Sequence, residues 1–131
     1  IYSAWSDDRG ETWTKLEPTE LPNNNSGIDA VALKDGRHLL VYNHIDRSKN
    51  EGKRNKLHLA ISKDGINWEA VALLENDENI EHEYSYPAII QSESGTLHIT
   101  YTWRRELIKH LVMNPENISS KPIVNGLWPE I

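Results

Sequence analysis

A polar turn that ends in tryptophan occurs twice in this sequence, and it is the feature that most constrains the fold. Residues 6–13 read SDDRGETW, and residues 62–68 read SKDGINW. In the first copy the carboxylate of Asp8 can accept hydrogen bonds from backbone N–H groups of its own turn, and Gly10 permits a positive φ. Trp13 is expected to pack beneath the hairpin. Two such turns predict a fold built from repeated hairpins.

Longer repeats surround the two turns. Residues 26–43 (SGIDAVALKDGRHLLVYN) align with residues 85–102 (SYPAIIQSESGTLHITYT), and the alignment places Gly36 opposite Gly95. Each unit contains short runs of β-branched and aliphatic residues on either side of a glycine turn, which is typical of a β-hairpin. Four strands therefore recur with a period of about 60 residues. This is the pattern of a β-propeller blade.

Counting the strands predicts an all-β chain of about two and a half blades. Residues 1–16 would supply the last two strands of one blade, residues 27–74 a complete blade, and residues 84–113 the first strands of a third. Because so few blades cannot close a ring, we expect a piece of a longer protein, with blades missing upstream and others expected downstream. Residues 1–113 are thus assigned to the partial propeller, and residues 114–131, rich in Pro and Asn, to a C-terminal loop or linker.

Composition argues against several classes of function. The net charge of −6 argues against a nucleic-acid partner, and no apolar run approaches the roughly 18 to 20 residues that span a bilayer. The basic run at residues 49–56 is predicted to be a solvated loop. The chain has no cysteine, which removes disulfides, thiolate metal sites and cysteine nucleophiles. Its five Trp and five Tyr suit half-exposed strands and sugar-facing surfaces.

The sequence predicts neither a metal site nor a cofactor. The acidic turn at residues 6–13 has oxygen ligands, but an EF-hand calcium site needs a longer loop that ends in Glu and lies between helices. No pair of the six histidines has the helical spacing of a zinc motif. A glycine-rich phosphate loop and a G-x-S-x-G elbow are also missing from the sequence.

The repeated turn, S-x-D-x-G-x-T-W, is identified as an Asp-box, or BNR repeat. With the blade pattern around it, residues 1–113 resemble the sialidase (neuraminidase) superfamily of six-bladed β-propellers. The resemblance implies a partial six-bladed propeller made of four-stranded antiparallel sheets. Asp-boxes also occur in non-enzymatic propellers, and they mark the outer turn of a blade, away from the central mouth. The turn itself is therefore not the expected site.

Sialidases carry an arginine just before L-x-L-x-x-S-x-D, and a Tyr-Ser pair opens the next blade some thirty residues later. Here Arg54 precedes NKLHLAISKDG, and Tyr84 opens YSYPAII. The resemblance implies that Arg54 belongs to an arginine triad that holds the substrate carboxylate, for which a guanidinium fork is well suited, and that Tyr84 is the nucleophile. A solvated loop arginine and a packing tyrosine are the alternatives. Tyr86 competes with Tyr84, because alternate strand residues face the same way.

A tyrosine nucleophile needs a base, because its pKa is normally near 10. In the family this base is a glutamate from an earlier blade, and the acid/base aspartate and two further arginines also come from positions that would precede Ile1. Glu83 is adjacent to Tyr84 but should point to the opposite face of the strand. The chain alone is therefore expected to be catalytically incompetent. Pro87 is compatible with a strand only at a bulge or an edge.

Further substrate-binding candidates are expected at the same mouth. They are polar groups at strand ends that could hydrogen-bond a sugar, although capping and turn roles remain open for them: Asn25, Ser26, Asp29, Tyr86 and Arg104. No cofactor is required for the chemistry that the resemblance implies.

The expected function is that of a retaining exo-glycosidase, which hydrolyses a terminal acidic sugar, sialic acid or a similar one, through a covalent glycosyl-enzyme. One alternative is a non-catalytic propeller that binds glycans or proteins. Another is a propeller enzyme that acts on uronate-containing polysaccharides, with a histidine or tyrosine as proton donor. The expected partners are a carbohydrate and the remaining blades of the same propeller. Polysaccharide substrates would suit a periplasmic or secreted protein.

Overall fold

The chain is all-β in the computed structural model, which describes residues 1–46, 48 and 52–130. Residues 49–51 of the basic run lie outside the described residues. The elements follow in chain order: β1 (Tyr2–Ser3), β2 (Glu17–Pro18), β3 (Asp29–Ala32), β4 (His38–Tyr42), β5 (Lys56–Ser62), β6 (Trp68–Asn76), β7 (Tyr84–Gln91), β8 (Leu97–Trp103), β9 (Leu107–Met113), a 3-10 turn (Pro115–Asn117) and β10 (Lys121–Pro122).

These strands form three antiparallel sheets, and the prediction of a partial propeller is confirmed. The pair β1–β2 forms a two-stranded sheet, β3 to β6 form a four-stranded blade, and β7 to β9 form a three-stranded sheet. The third sheet contains β9, as the sequence predicts for residues 107–113. The sheets are open rather than closed into a ring.

The segment after β9, predicted to be loop or linker, folds back onto the complete blade. Its strand β10 pairs with β6, where Lys121 lies opposite Ala70. Ile123, which follows β10, is buried and donates its backbone N–H to the carbonyl of Trp68. The segment thus adds a fifth strand to the sheet, while the domain boundary at residue 113 stays a prediction.

Two apolar clusters cover the two faces of the complete blade. The residues of β4 and β5 are buried at nearly every position. Successive residues of a strand point to opposite faces, so both faces of the sheet are covered. One face packs against the third sheet, through Leu39, Val41, Leu57, Leu59, Ile61, Tyr84, Ile89, Leu97, Ile99 and Tyr101. The other face packs against Leu21 and Ile123, through Leu40, Tyr42, Ala60 and Ala70. The complete blade therefore lies between two cores.

The two repeated turns have the hydrogen bonds that the sequence predicts. In the first, Asp8 accepts from the backbone N–H of Thr12 at 2.9 Å, and Gly10 has φ +90°. Hydrogen bonds from the Thr12 hydroxyl and backbone lower the pKa of Asp8 to about 2. The prediction for Trp13 is wrong: the side chain is 64% exposed and lies across the turn, because its indole N–H bonds the carbonyl of Gly10 at 3.0 Å.

Three loops meet at the end of the blades opposite the second Asp-box. Strand β5 begins where β6 ends, and β7 begins where β8 ends, because both pairs are antiparallel. The backbone N–H of Tyr84 donates to the carbonyl of Arg54 at 2.8 Å, and that of Arg104 donates to the carbonyl of Glu83 at 2.7 Å. Loop residues 52–55, 77–83 and 104–106 are thereby held side by side.

Candidate active site

A polar cleft of about 420 Å³ opens between these three loops. Its charged lining comes from four cationic and two acidic side chains, with His82 beside them: Lys53, Arg54, Arg104, Arg105, Glu81 and Glu83. Two of the arginines, Arg54 and Arg104, are candidates from the sequence. Since the positive side chains outnumber the negative ones, the cleft has the electrostatic character of an anion-binding site.

Arg54 is fixed by neighbours on two sides. Its Nε donates to Oγ of Ser26 at 3.0 Å, and its Nη1 donates to Oε1 of Glu83 at 3.2 Å. The guanidinium also lies 5.4 Å from the ring centroid of Tyr86. The hydroxyl of Tyr86 and the charge of Glu83 raise the pKa of Arg54, against the effect of burial. Ser26, Arg54 and Tyr86, all predicted from the sequence, therefore form one cluster.

Glu83 organises the cationic side of the cleft. Besides Arg54, its carboxylate accepts from Nε of Arg105 at 2.8 Å and from the Ser85 hydroxyl at 2.5 Å. Burial acts to raise the pKa of Glu83, but the hydrogen bonds from Ser85 and Arg105 lower it overall. Glu83 therefore stays ionised between two arginines. Its partners differ from those of the Tyr84 hydroxyl, which bonds Asp77 and Arg104.

Tyr86 does not share the environment of Tyr84, so the expectation that the two face the same way is wrong. Strand pairing skips from Ser85 to Ala88, which makes Tyr86 and Pro87 a β-bulge. Tyr86 has φ +51° and is 66% exposed, whereas Tyr84 is 1% exposed. The bulge breaks the alternation and also accommodates Pro87, as its lack of an N–H requires.

Tyr84 lies in a second cluster. Its hydroxyl donates to Oδ2 of Asp77 at 2.6 Å and accepts from Nε of Arg104 at 3.1 Å. Its ring packs edge-on against Trp103, with centroids 6.2 Å apart. Burial and the carboxylate of Asp77 raise the pKa of Tyr84. Arg104, which lines the cleft, connects this hydroxyl to the cleft.

Asp77 is the residue of this cluster that the sequence did not single out. Its Oδ2 also accepts from Nδ1 of His82 at 2.6 Å and from Nη2 of Arg104 at 3.2 Å. Hydrogen bonds from Tyr84 and then His82 hold the pKa of Asp77 well below its usual range. In the sequence Asp77 lies in NDENIEHE, where several carboxylates follow one another. Its position directly after β6, at the end of the sheet where the three loops meet, was the feature of the sequence that could have indicated its role.

The remaining candidates have other surroundings. Asp29 accepts the backbone N–H of Ile89 through Oδ2 at 2.8 Å, and it thereby ties β3 to β7. Asn25 is exposed with φ +65°, a conformation that Asn tolerates in turns. Ser26 is buried and donates its hydroxyl to Oδ1 of Asn24 at 2.5 Å. Of these three residues, Ser26 is the one that contacts a cleft residue, Arg54.

Metal ligation and membrane insertion have no structural signature in the part of the chain that the structure describes. Within residues 1–46, 48 and 52–130, no three His, Cys, Asp or Glu side chains are grouped closely enough to hold a metal ion. The same residues contain no helix with the length and apolar character needed to cross a membrane.

The chain matches a known family over most of its length. A family model described as a BNR repeat-like domain matches residues 1–99, about three quarters of the chain. The match includes both Asp-boxes, Arg54 and Tyr84, while Arg104 lies just beyond it. No curated protein matches the sequence at a significant level. The chain therefore belongs to the BNR repeat-like domain family.

Proposed function

We propose that this protein acts as a sialidase-like retaining exo-glycosidase, which removes a terminal acidic sugar, sialic acid or a similar one, from glycans. The observation that carries the proposal is the environment of the Tyr84 hydroxyl. It donates to a carboxylate, Asp77, at 2.6 Å, and it accepts from Arg104, which lines a cationic cleft. A phenol paired with a base beside an anion-binding cleft is the combination that a tyrosine nucleophile needs.

Preference for an acidic sugar is supported by Arg54. Ser26 and Glu83 engage its Nε and Nη1, so the fork has its orientation before a ligand arrives. A guanidinium held in this way loses little conformational entropy when it pairs with a carboxylate. In this proposal Arg54 binds the sugar carboxylate, as the resemblance to sialidases implies.

A neutral nucleophile also suits an acidic substrate. A carboxylate nucleophile would bring a second negative charge against the carboxylate of the sugar, whereas the phenol of Tyr84 does not. The reaction then proceeds in two steps, formation and hydrolysis of a glycosyl-tyrosine, with retention of anomeric configuration.

The test is turnover of an aryl sialoside by the full-length protein. Tyr84→Phe should lower kcat/KM by at least about 10³-fold, as expected for removal of a nucleophile. Arg54→Ala should raise KM by about 10- to 100-fold, the worth of a hydrogen bond to a charged group. The methyl ester of the substrate is the matched control, because Arg54→Ala should not weaken its binding. A Tyr84→Phe variant with the wild-type rate would contradict the nucleophile assignment.

A non-catalytic glycan-binding propeller is the second candidate, and the burial of Tyr84 favours it. The residue is 1% exposed, and its hydroxyl is engaged by both Asp77 and Arg104. In that case the wild type would turn over no aryl sialoside or aryl uronide, yet would bind the acidic sugar with a dependence on Arg54. Turnover of the uronide alone would instead indicate an enzyme that acts on uronate-containing polysaccharides.

A further inference from the structure

The Tyr84 hydroxyl has a single proton, and its acceptor is assigned from the heavy-atom contacts around the oxygen. The donor–acceptor distance to Oδ2 of Asp77 is 2.6 Å, within the range of a strong O–H···O⁻ hydrogen bond. A base from elsewhere in the protein would have to displace Asp77 before it could take this proton. Asp77 thus occupies the position of the base.

We propose that Asp77 is the base that removes the proton of Tyr84, and that Arg104 stabilises the phenolate that results. This inference rests on the proposed glycosidase function. It differs from what the resemblance implies, since the family takes its base, a glutamate, from an earlier blade. Activation of the nucleophile would then be contained in residues 77–104.

Asp77 is held rigidly enough to serve as a base. Its Oδ1 accepts the backbone N–H of Asn79 at 2.9 Å, and its own backbone N–H donates to the carbonyl of Asn55 at 3.0 Å. Oδ2 is therefore aimed at Tyr84 by contacts that do not involve Tyr84. A base positioned in this way needs no reorganisation at the moment of proton transfer.

His82 orients Asp77 as a hydrogen-bond donor. Its Nε2 lies 3.2 Å from Nδ2 of Asn79, an amide nitrogen that can only donate, so Nε2 accepts. The imidazole proton is thereby assigned to Nδ1, which lies 2.6 Å from Oδ2 of Asp77.

Arg104 contacts both ends of the proton transfer. Its Nε donates to the Tyr84 hydroxyl, and its Nη2 donates to Oδ2 of Asp77. The guanidinium is supported by the indole of Trp103, with its carbon 4.3 Å from the ring centroid. Charge that leaves Asp77 and appears on the phenolate therefore stays within hydrogen-bond reach of the same cation, which makes the phenolate a better leaving group in the second step.

Protonation states on the two partners define the state from which the transfer starts. Burial and the neighbouring Asp77 raise the pKa of Tyr84, so its proton is in place at neutral pH. The pKa of Asp77 lies well below its usual range, because Tyr84 and His82 both donate to it, so the carboxylate is ionised. The resting pair is then phenol and carboxylate, as general-base catalysis requires.

The proposed reaction balances in two steps. In the first, the phenol oxygen of Tyr84 bonds the anomeric carbon, the bond to the aryl oxygen breaks with its electron pair, and the phenol proton moves to Asp77. In the second, a water oxygen bonds the anomeric carbon while the bond to Tyr84 breaks. The phenolate recovers its proton from Asp77, and the proton lost by water passes through solvent to the aryl oxide.

The first experiment measures the proton directly. The full-length protein, with its tyrosines labelled with ¹³C at Cζ, is titrated by NMR, and the Tyr84 signal is assigned with Tyr84→Phe. Asp77→Asn should lower the pKa of Tyr84 by about one unit or more, because the carboxylate no longer opposes ionisation. Glu78→Gln, which removes a charge from the exposed neighbouring residue, should leave it unchanged. An unchanged pKa in Asp77→Asn would overturn the pairing.

The second experiment separates a base from a merely structural hydrogen-bond partner. Asp77→Ala should lower aryl sialoside turnover by about 10²- to 10⁴-fold, and added formate should restore part of it by supplying a carboxylate. Tyr84→Phe should show no rescue by formate. Unchanged turnover in Asp77→Ala, or a loss that formate does not restore, would overturn the assignment. A wild type without turnover contradicts the proposed function instead, and the NMR titration then still decides whether Asp77 controls the Tyr84 proton.

Discussion

Two aspartates at opposite ends of β6 have the same chemistry and different surroundings. Asp64, in the second Asp-box, accepts from Ile66 and Asn67, which lie two and three residues further along the chain. Asp77, just after β6, accepts from Tyr84 and Arg104, which belong to the next sheet and its loop. Hydrogen bonds hold the pKa of both well below the usual range. A local turn thus satisfies one carboxylate, whereas the other combines donors of its own loop with tertiary contacts beside the cleft.

This difference distinguishes Asp64, which stabilises a turn, from Asp77, which belongs to the candidate site. The partners of Asp64 are hydrogen-bond donors of its own turn, so none of them links the carboxylate to the cleft. The partners of Asp77 include a phenol that can act as a nucleophile and an arginine that lines the cleft. A strongly lowered carboxyl pKa therefore does not distinguish the two roles, whereas the identity of the donors does.

The largest expected effect is a difference in turnover between variants of the two aspartates. Asp77→Ala should reduce kcat of the full-length protein on an aryl sialoside by about 10²- to 10⁴-fold, because the base is lost. Asp64→Ala should leave turnover per folded molecule unchanged and lower the thermal midpoint instead. Steady-state kinetics, corrected for folded protein by circular dichroism, measures both. Equal losses of turnover in the two variants would break the comparison.

The next expected effect concerns stability at the site end of the complete blade. Asn43 is fully buried, and its Nδ2 donates to the carbonyls of Lys56 at 2.7 Å and Tyr84 at 3.0 Å. Asn43→Ala should lower the free energy of unfolding by about 2 kcal/mol or more, because buried carbonyls lose their donor. In the Asp-box, Asn67→Ala removes an exposed, local contact and should cost about 0.5 kcal/mol.

Urea denaturation of both variants measures this difference. Wild-type protein and Asn67→Ala should unfold at similar urea concentrations, and Asn43→Ala should unfold at a clearly lower one with the same slope. A larger loss in Asn67→Ala than in Asn43→Ala would contradict the view that the site end depends on contacts between sheets.

A pH-dependent effect on stability appears on acidification and involves His58. Burial, followed by the charges of His44 and Lys56, lowers the pKa of His58 from 6.5 to about 3. The folded state holds the imidazole neutral, whereas the unfolded chain protonates it near pH 6.5. The free energy of unfolding is therefore highest above pH 6.5 and decreases as the pH falls toward 3. His58→Asn should flatten the pH dependence of unfolding in this window. His110→Asn, at an exposed position, is the control and should leave the dependence as it is in wild type.

The smallest effect is expected from the first Asp-box and at lower pH. The pKa of Asp8 falls from 3.8 to about 2, because Thr12 donates to its carboxylate. Because the carboxyl pKa is lowered in the folded state, the ionised Asp8 stabilises the fold above pH 3.8. This contribution to the free energy of unfolding is lost as the pH falls toward 2. Asp8→Asn should remove this contribution, seen as a thermal midpoint that changes less between pH 4 and pH 2. A change confined to pH 5 and above would contradict the assignment.

Much of the fold follows from local patterns. The alternation of β5, the hairpin turn at Gly36 and the two Asp-boxes depend on residues close together in the chain, and the sequence predicts all of them. The short strand β10 was missed because it has two residues, one of them Pro122, and its pairing with β6 depends on how the chain folds back. Trp13 was misplaced because its turn has no core beneath it.

The candidate site was harder to predict because its contacts connect distant parts of the chain. The resemblance pointed to Arg54 and Tyr84. The partners of Asp77 and Glu83 come from other loops, and only the folded structure shows these contacts. The bulge at Tyr86 was also hidden, since a strand pattern does not show where pairing skips a residue. Side-chain direction near Tyr84 therefore could not be deduced from alternation alone.

The most direct test of the central claim, that Tyr84 is the nucleophile, is to trap the glycosyl-enzyme. The full-length protein is mixed with an aryl sialoside, quenched with acid within milliseconds, digested, and analysed by mass spectrometry. The account predicts a peptide containing Tyr84 that is heavier by one sugar residue and is missing from Tyr84→Phe. Turnover with the sugar attached to a different residue, or with no attached sugar at any quench time, would contradict it.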